Sequence, residues 1–487
     1  MKKVFEIKES LKSKIFDKIL EIDEIISITI VGSFIDKDDL SGISDIDIVV
    51  ICNILNEKIF NKCINSFNEL DLDECGLKDY GLKINSTFGP LKFDRPNTVV
   101  LHLMIYDIRG HQNHVNESPF TCYDWERSND FVGLHLREVF PVRKIQIRDF
   151  KEARRSTENY LADLKNNTIS FRKYEFDRNK AIQVKKNMPM NPKHKGEYAY
   201  HIIKNLICNY IKFRLNINQL ISKGEINTFL LSSLNEQNRK YHSEKFMHIS
   251  KIKERRQDNF PDDITEWAEE FINEFKTTFL KKWENAVKII FFRHFKTSYN
   301  DGSYLGQSRN PSIDYQTKYQ HEFKEPNVIY TSPLKRCVQS ANIIYKNPNL
   351  IYDDRLLEFD YGDAEGMKYR ELSNQYPDII LEWENGKDPH FPKGENTSQV
   401  LSRLISFLDE LSKTVNKSHV DKVSIFTHNG ILRCLIGKFF QFEKKDWFKI
   451  SIPHGVPIEF LYFNGQYHPN ISKNILPKIL KNIGLFS

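Results

Sequence analysis

Apolar residues follow two different periods in the amino-terminal part of the chain. Between residues 7 and 23 they fall roughly on one side of a helix, so this stretch predicts an amphipathic helix. Three later runs are short and rich in Ile and Val, which is typical of strands. They are ISITIV at 26–31, SDIDIVVI at 44–51 and TVVLHLMIYD at 98–107.

The middle of the chain is polar and helical in pattern. Apolar residues at helical spacing predict helices over Ala199–Leu215 and Ile264–Trp283. Pro189 and Gly196 predict a loop between helices. The lysines beside this loop are interpreted as a solvated face, with phosphate contact as the alternative; they are Lys185, Lys186, Lys193 and Lys195.

From residue 286 onward, short apolar runs end in residues that suit a ligand. Residues 287–292 are nearly all apolar and stop at Arg293 and His294, which predicts a buried strand ending in a cation and an imidazole. In open α/β sheets, the carboxyl ends of the strands border the ligand crevice.

Two further strands are predicted to enter helices in the same way. The strand at 327–331 leads to Ser332 as a helix N-cap and to Pro333 as the first helical residue. Arg336 would then lie in the first helical turn, where an anion is favoured. The strand at 423–427 leads to His428 and another helix.

Length and pattern predict an α/β multidomain protein with three parts. These are a small mixed-sheet domain at 1–150, a helical region at 151–285 and an α/β domain at 286–487. The formal net charge of +6 is small for 487 residues, so nucleic acid is not the expected partner.

Cysteine usage and the first residues bear on the compartment. The seven cysteines are scattered without a CxxC pair, which favours a reducing cytoplasm. The charged start predicts no signal peptide, and no stretch approaches the ~20 apolar residues that span a membrane. A cytoplasmic protein is therefore expected.

Asp45 and Asp47 share one face of the second predicted strand, because alternate residues of a strand point the same way. Two neighbouring carboxylates repel each other unless a cation lies between them. Mg²⁺ with a nucleoside triphosphate is the expected partner, since Mg²⁺ takes oxygen ligands and shares them with phosphates. Gly32 permits close backbone approach to a phosphate, and Ser33 adds a hydroxyl and an N–H.

Gly32-Ser33 followed by SDIDIVVI resembles the nucleotidyltransferase superfamily, which includes DNA polymerase β and the aminoglycoside nucleotidyltransferases. The resemblance implies Mg²⁺-dependent transfer of a nucleotide from an NTP to a small-molecule acceptor, with the helical region closing the acceptor site. It also implies a third carboxylate on a later strand. That strand has His102 in its middle, with Asp107 at its end and Asp94 before it.

His102 at this position supports a rival interpretation, in which the amino half binds nucleotide and regulates without turnover. A polymerase-like role on RNA is a third possibility, against which the weak charge argues. His111 and His114 could form a metal pair, but a polar loop is the expected structure, because no cysteine or carboxylate completes a zinc set at the usual spacing.

The carboxyl-terminal motifs RHxxT, SPLxR, LLEFDYGDAEG, PKGEN and THNG occur in the order of the histidine phosphatase (phosphoglycerate mutase-like) superfamily, which they resemble. The resemblance implies a parallel-type sheet in a three-layer α/β/α domain. It implies His294 as a nucleophile that forms phosphohistidine, and Glu358 as the proton donor and later base. It implies a phosphate cage that needs no metal, formed by Arg293, Asn300, Arg336 and His428.

Several positions depart from the family pattern or leave a choice. Phe295 stands where glycine usually follows the catalytic histidine, and it could narrow the cleft mouth, select a flat leaving group or block the site. Asn396 stands where serine is frequent. Glu358 is favoured as the proton donor over Asp360 or Glu365. No extended acidic loop of a mutase is identifiable, so hydrolysis of a phosphorylated small molecule is expected.

Overall fold

The computed structural model describes residues 2–20, 22–36, 45–89, 97–255, 257, 259–314, 326–417 and 420–486. The chain divides into two compact units, Met1–Leu280 and Lys281–Ser487. In the part of the chain that is described, every helix is too short or too polar to cross a membrane.

A mixed sheet lies at the centre of the amino-terminal unit. Its strands β1 to β5 are Ile25–Val31, Ile46–Cys52, Gly81–Asn85, Thr98–Asp107 and Phe131–Gly133. Their order in the sheet is β3-β4-β2-β1-β5. The central strand β2 runs parallel to β4 and antiparallel to β1. The three strands predicted from apolar runs are confirmed as β1, β2 and β4.

The predicted amphipathic helix is confirmed as the first helix, which buries Leu11, Ile15 and Ile19 in the core with β1, β2 and β4. The α-helices α1 to α12 of this unit are Lys2–Leu20, Ser33–Asp36, Glu57–Asn68, Ile108–Glu117, Pro119–Trp125, Leu136–Val139, Asp149–Glu152, Thr157–Lys165, Pro192–Leu215, Lys223–Ser233, Glu236–Glu254 and Ile264–Phe275.

The region predicted to be helical, residues 151–285, contains α8 to α12 but also two strands that were not predicted. Strands β6, Thr168–Asp177, and β7, Lys180–Pro189, form an antiparallel hairpin. Charged residues on its exposed positions hide the period-two pattern of its apolar residues. Asn179 takes a positive φ in the turn, which asparagine tolerates. Lys185 and Lys186 therefore lie on a strand and not beside a loop.

A second mixed sheet lies in the carboxyl-terminal unit. Strands β8 to β13 are Val287–Arg293, Val328–Thr331, Ile351–Tyr352, Lys422–Thr427, Pro457–Phe463 and Gln466–Pro469, in the order β10-β9-β11-β8-β12-β13. The strands β8 to β11 are mutually parallel, as predicted. Strand β12 runs antiparallel to its two neighbours, β8 and β13. The parallel strands end at one edge, where Thr427 is in register with Arg293.

The α-helices α13 to α19 of this unit are Lys335–Tyr345, Tyr369–Gln375, Pro377–Glu384, Thr397–Lys417, Asn429–Phe440, Lys444–Trp447 and Leu476–Leu480. The prediction that Ser332 caps α13 is wrong, because the N-cap residue is Leu334. The Ser332 hydroxyl instead lies 2.8 Å from His428 Nε2. Arg336 lies in the first turn of α13, as predicted.

Candidate active sites in the two units

A cleft of about 300 Å³ opens at the edge where the parallel strands of the carboxyl-terminal unit end. Four of the residues predicted for this site line it, namely Arg293, His294, Asn300 and Glu358. The other lining residues are Gly302, Ser303, Tyr304, Leu305, Tyr361, Asn429, Arg433, Ser451, Ile452 and His454.

His294 follows β8 directly and is only 2% exposed. Its Nδ1 lies 2.6 Å from the carbonyl oxygen of Phe295. Because a carbonyl oxygen only accepts, Nδ1 carries the proton and Nε2 keeps its lone pair. Burial and the charges of Arg293 and Arg336 hold the pKa of His294 well below its usual value. The imidazole is therefore neutral and has a free nucleophilic nitrogen.

Arg293 supplies a half-buried positive charge to the same cleft. One guanidinium N–H donates to the carbonyl of Ile452 at 2.7 Å, while Nε is buried without a hydrogen-bond partner. Burial, followed by repulsion from Arg433, lowers the pKa of Arg293 to about 10. A buried donor without a partner is costly, so an anion bound in the cleft would satisfy it.

Arg336 and His428 form a fully buried pair next to His294. Arg336 Nε donates to His428 Nδ1 at 3.2 Å, and the two terminal nitrogens donate to the carbonyls of Arg309 and Gly306. The rings of His294 and His428 have centroids 5.3 Å apart. The structure therefore places Arg336 and His428 next to His294, although neither is among the residues that line the cleft with Arg293 and Asn300.

The polar contacts of three carboxylates distinguish Glu358 as the candidate proton donor. Glu358 Oε1 accepts from the N–H groups of Phe359 and Gly430, both at 2.9 Å, which leaves Oε2 for the cleft. Burial raises the pKa of Glu358. Asp360 accepts from the Gly362 N–H, and Glu365 holds the backbone near residue 309. Neither of these alternatives is among the residues that line the cleft.

Asn300 and Asn429 place amides in the same cleft. Asn300 Oδ1 accepts from the backbone N–H of Thr297 at 2.8 Å, so its amide is fixed. Asn429 Oδ1 is buried without a partner. Asn396 instead lies at the start of α16, where its Oδ1 accepts from the Gln399 N–H.

Two cleft residues, Arg433 and His454, were not predicted from the sequence. Arg433 lies one helical turn after Asn429 and donates from Nε to the carbonyl of Ile450 at 2.8 Å. The turn spacing after THNG could have indicated Arg433. His454 Nδ1 donates to the carbonyl of His294 at 2.8 Å, and burial lowers its pKa to about 3. No motif spacing indicates His454.

Phe295 neither blocks nor narrows the cleft, contrary to what its place after His294 suggested. Its ring is 4% exposed and packs in a core with Ile290, Phe292 and Ile313. Gly455 makes room for the ring, because a Cβ there would lie 2.2 Å from Phe295 Cε1. Gly455 also has φ +65°, which only glycine adopts without cost.

Gly455→Ala should destabilise the carboxyl-terminal unit by roughly 2–4 kcal/mol, because it adds overpacking to backbone strain. Thermal unfolding followed by circular dichroism measures this loss. Gly465→Ala is the matched control, since Gly465 also has a positive φ but no neighbour within 4 Å of the place that an alanine methyl group would take. An equal loss in both variants would show that contact with Phe295 costs nothing.

In the amino-terminal unit, Asp45, Asp47 and His102 lie at one point of the sheet. One ligand-type atom from each lies within 4.8 Å of the others. Asp47 on β2 is in register with His102 on β4. His102 Nδ1 lies 2.7 Å from Asp47 Oδ1, and Nε2 lies 2.6 Å from the Thr87 carbonyl. His102 thus occupies the predicted position of a third carboxylate.

Both ring nitrogens of His102 face oxygens that accept hydrogen bonds. This arrangement favours the doubly protonated ring. The hydrogen bond to Asp47 raises the pKa of His102 against the opposing effect of its burial, which is the larger single cause. A cationic His102 neutralises part of the charge on the two aspartates and offers no lone pair to a metal.

Gly32 and Ser33 lie beside this cluster and line a cavity of about 500 Å³, together with Asp47 and His102. Gly32 has φ +76°, and a Cβ there would lie 2.7 Å from Asp47 Oδ2. Glycine is therefore required for Asp47 to approach the backbone. The two carboxylates offer the oxygen donors that Mg²⁺ prefers, so they fit this ion, whereas His102 does not add a ligand.

Asp107, the candidate at the end of β4, does not join this cluster. Asp107 caps α4, where its Oδ1 accepts from the Gly110 N–H at 2.6 Å. Asp94 lies outside the described residues. The polar loop predicted at His111 and His114 is wrong, because both lie buried on α4. Their burial follows from contacts with the Tyr106 ring.

A neutral imidazole, two half-buried arginines and a buried carboxyl around one cleft form a site that suits a phosphoryl group. Residues 289–468 match the model of the histidine phosphatase superfamily, branch 1. This match supports a histidine phosphatase domain at residues 289–468.

Curated relatives and solved structures resemble part of the chain. It is 34% identical over 140 residues to phosphoserine phosphatase 1 of Hydrogenobacter thermophilus, covering 26% of this chain and 65% of that protein. It is 30% identical over 171 residues to fructose-2,6-bisphosphatase of Saccharomyces cerevisiae, covering 33% of this chain and 36% of that protein. In neither case does it span two thirds of the relative.

Among solved structures, the α-ribazole phosphatase of Shigella flexneri is 18% identical to this chain, with a TM-score of 0.32. That similarity covers 38% of this chain and 97% of the solved one.

Proposed function

We propose that the chain is a bifunctional enzyme whose carboxyl-terminal unit hydrolyses phosphomonoesters through a phosphohistidine at His294. The observation that carries this proposal is the hydrogen bond from His294 Nδ1 to the Phe295 carbonyl, which leaves Nε2 unprotonated in a cleft lined by Arg293 and Arg433. The histidine phosphatase family match supports it. The named relatives act on small phosphorylated metabolites, and we infer a substrate of that class.

The proposed reaction has two steps. His294 Nε2 attacks phosphorus while the bond to the leaving oxygen breaks, and Glu358 gives that oxygen a proton. Water then attacks the phosphohistidine, Glu358 takes its proton, and phosphate leaves. Arg293 and Arg433 stabilise the charge on the phosphoryl oxygens, while Arg336 and His428 hold the nucleophile from behind.

Glu358→Gln should lower kcat for an alkyl phosphate by about 10²–10⁴-fold, because an alkoxide needs a proton to leave. The kcat for p-nitrophenyl phosphate should fall much less, since nitrophenolate is a good leaving group that needs no proton. The raised pKa of Glu358 keeps it protonated to higher pH than an ordinary carboxyl. The wild-type alkyl phosphatase rate should therefore decline as pH rises through that pKa, and Glu358→Gln should lose this decline.

Glu365→Gln is the control for this measurement, since Glu365 lies on the same segment but holds a loop. Steady-state rates on both substrates across pH decide between the two carboxyls. Equal losses on the two substrates in Glu358→Gln would assign Glu358 a structural role.

For the amino-terminal unit we propose Mg²⁺-dependent transfer of a nucleotide from an NTP to a small-molecule acceptor. Asp45 and Asp47 would hold the ion, which neutralises phosphate charge when bound. Gly32 and Ser33 would contact the phosphates. Support comes from the placement of these four residues. Gly32, Ser33 and Asp47 line a single cavity, and Asp45 lies next to Asp47 and His102.

The alternative is a nucleotide-binding unit that regulates the phosphatase without turnover. His102 in the third carboxylate position favours it, because both of its ring nitrogens are engaged with Asp47 and the Thr87 carbonyl, so His102 cannot take a proton from an acceptor hydroxyl as a third carboxylate would. Titration with NTP and Mg²⁺ followed by an assay for pyrophosphate separates the two functions. Both proposals place the chain in the cytoplasm and need no nucleic acid.

A further inference from the structure

The cavity of the amino-terminal unit extends beyond Gly32, Ser33 and Asp47 to a group of cationic and aromatic residues. Its total volume of about 500 Å³ suits a small molecule. Alternate residues of β4, from His102 to Tyr106, line one wall. Tyr106 and five further lining residues, His114, Arg154, Arg155, Tyr160 and Arg172, are here called the arginine cluster.

Buried hydrogen-bond donors in the arginine cluster have no partner. The residues Tyr106 and Tyr160 are only 0% and 1% exposed, and their buried hydroxyl groups have no hydrogen-bond partner. Arg172 Nε is buried without a partner as well. Unsatisfied buried donors are costly, so a ligand that supplies acceptor oxygens would relieve them.

His114 adds another donor of this kind. Arg154 Nη1 lies 3.4 Å from His114 Nδ1, and arginine can only donate, so Nδ1 carries the lone pair. The proton is then on Nε2, which is buried without a partner. The ring stacks on Trp125 at 5.1 Å, which fixes its direction.

The cationic charge of the cluster is poorly compensated. No carboxylate of the described residues pairs with Arg155 or Arg172, while Arg154 pairs with Glu117. Burial, followed by repulsion from Arg172, lowers the pKa of Arg154 to about 10, and burial also lowers the pKa of Arg172. The acids in the cavity wall have other partners: Asp36 with Arg127, Asp124 with Lys212, Asp163 with Tyr198, and Glu254 with Lys223.

One buried acceptor, Asn209 Oδ1, is also unbonded in this wall. It cannot balance three guanidinium groups. An anion that presents several oxygens would therefore satisfy both the arginines and the donors without partners. A phosphoryl group is such an anion.

We propose that the arginine cluster binds the phosphoryl group of a phosphorylated small molecule, which is the acceptor of the nucleotidyl transfer proposed above. The role as acceptor rests on that proposed function, whereas the anion site does not. The cluster comes from β4, α4, β6, α8 and residues 154–155, all separate from the segments that carry Gly32, Ser33 and the aspartates. Nucleotide and acceptor would thus occupy opposite ends of one cavity.

Calorimetric titration of the full chain with inorganic phosphate tests this site. An Arg293→Met background weakens the phosphatase cleft in every sample. In that background, Arg172→Met should weaken phosphate binding by about 10-fold or more, since a hydrogen bond to a charged group is lost. Lys185→Met is the matched control, because Lys185 lies opposite Arg172 in the register of the hairpin but its side chain is exposed. Its phosphate affinity should not change.

Tyr160→Phe distinguishes loss of a ligand contact from a folding defect. The hydroxyl has no partner in the unliganded protein, so its removal should not lower the melting temperature, yet it should weaken phosphate binding several-fold. Acetate should bind much more weakly than phosphate. Equal phosphate affinity in Arg172→Met and Lys185→Met would overturn the site.

Titration with phosphate in the presence of saturating MgATP shows whether the arginine cluster belongs to the acceptor site or to the nucleotide site. Phosphate should still bind at the arginine cluster when MgATP is bound, and its displacement by MgATP would overturn the assignment to the acceptor. Failure of the proposed transferase looks different: phosphate binding would keep its dependence on Arg172, but no pyrophosphate would form with any phosphorylated acceptor.

Discussion

Replacing His294 with alanine should lower phosphatase kcat by roughly 10⁴- to 10⁶-fold, the range found when a covalent nucleophile is removed. The reason is specific to this imidazole. Its Nδ1 proton is committed to the Phe295 carbonyl and its pKa is strongly depressed, so Nε2 is ready to attack without prior deprotonation. Initial rates of p-nitrophenyl phosphate hydrolysis measure the loss.

His390→Ala is the matched control for this loss, since His390 is exposed and belongs to the same unit. It should retain the wild-type rate. Circular dichroism of both variants checks that the fold is intact. A His294→Ala protein that is folded and still turns over at more than a few per cent would remove His294 from the chemistry.

Asp45→Asn combined with Asp47→Asn should abolish nucleotide-dependent pyrophosphate release, by roughly 10³-fold or to the detection limit. Metal ions contribute several kcal/mol to such transfers, and the two carboxylates are the candidate ligands. Phosphatase activity should be unchanged, because its residues lie in the other unit. Pyrophosphate release and phosphate release from separate substrates, measured on one preparation, give both results.

Asp107→Asn provides the control, as this side chain caps α4 and asparagine caps a helix nearly as well. Wild-type transfer in Asp107→Asn would agree with its position away from the cluster. If the wild-type chain binds MgATP but releases no pyrophosphate with any acceptor, the regulatory alternative is preferred, and His102 explains the lack of turnover.

The sequence predicted best where one contiguous pattern determines both a strand and the residue at its end. Val287–Phe292 with His294, and β2 with Asp47, were placed correctly because alternation and strand ends follow from local rules. Several motifs in family order then gave the carboxyl-terminal domain. The hairpin at 168–189 was missed, because its strands are largely exposed and carry little apolar signal.

The remaining features depend on residues that are distant in sequence. Phe295 is accommodated by Gly455, and nothing near position 295 indicates this partner. His454 reaches the cleft by a hydrogen bond to the backbone of His294, 160 residues earlier. Arg336 was correctly grouped with His428, but its contacts to backbone carbonyls, which place it behind the nucleophile, follow only from the folded chain.

In the proposed phosphatase reaction, the phosphoryl group is transferred to Nε2 of His294 before water releases it. The direct test is rapid acid-free quenching of the full chain during turnover of a substrate radiolabelled in its phosphoryl group, followed by peptide mapping. We expect an acid-labile, base-stable label on the peptide that contains His294, and no label in His294→Ala. Nucleophilic attack by His294 would be excluded by a label on His454, whose Nδ1 also donates to a carbonyl, or by a label that persists in His294→Ala.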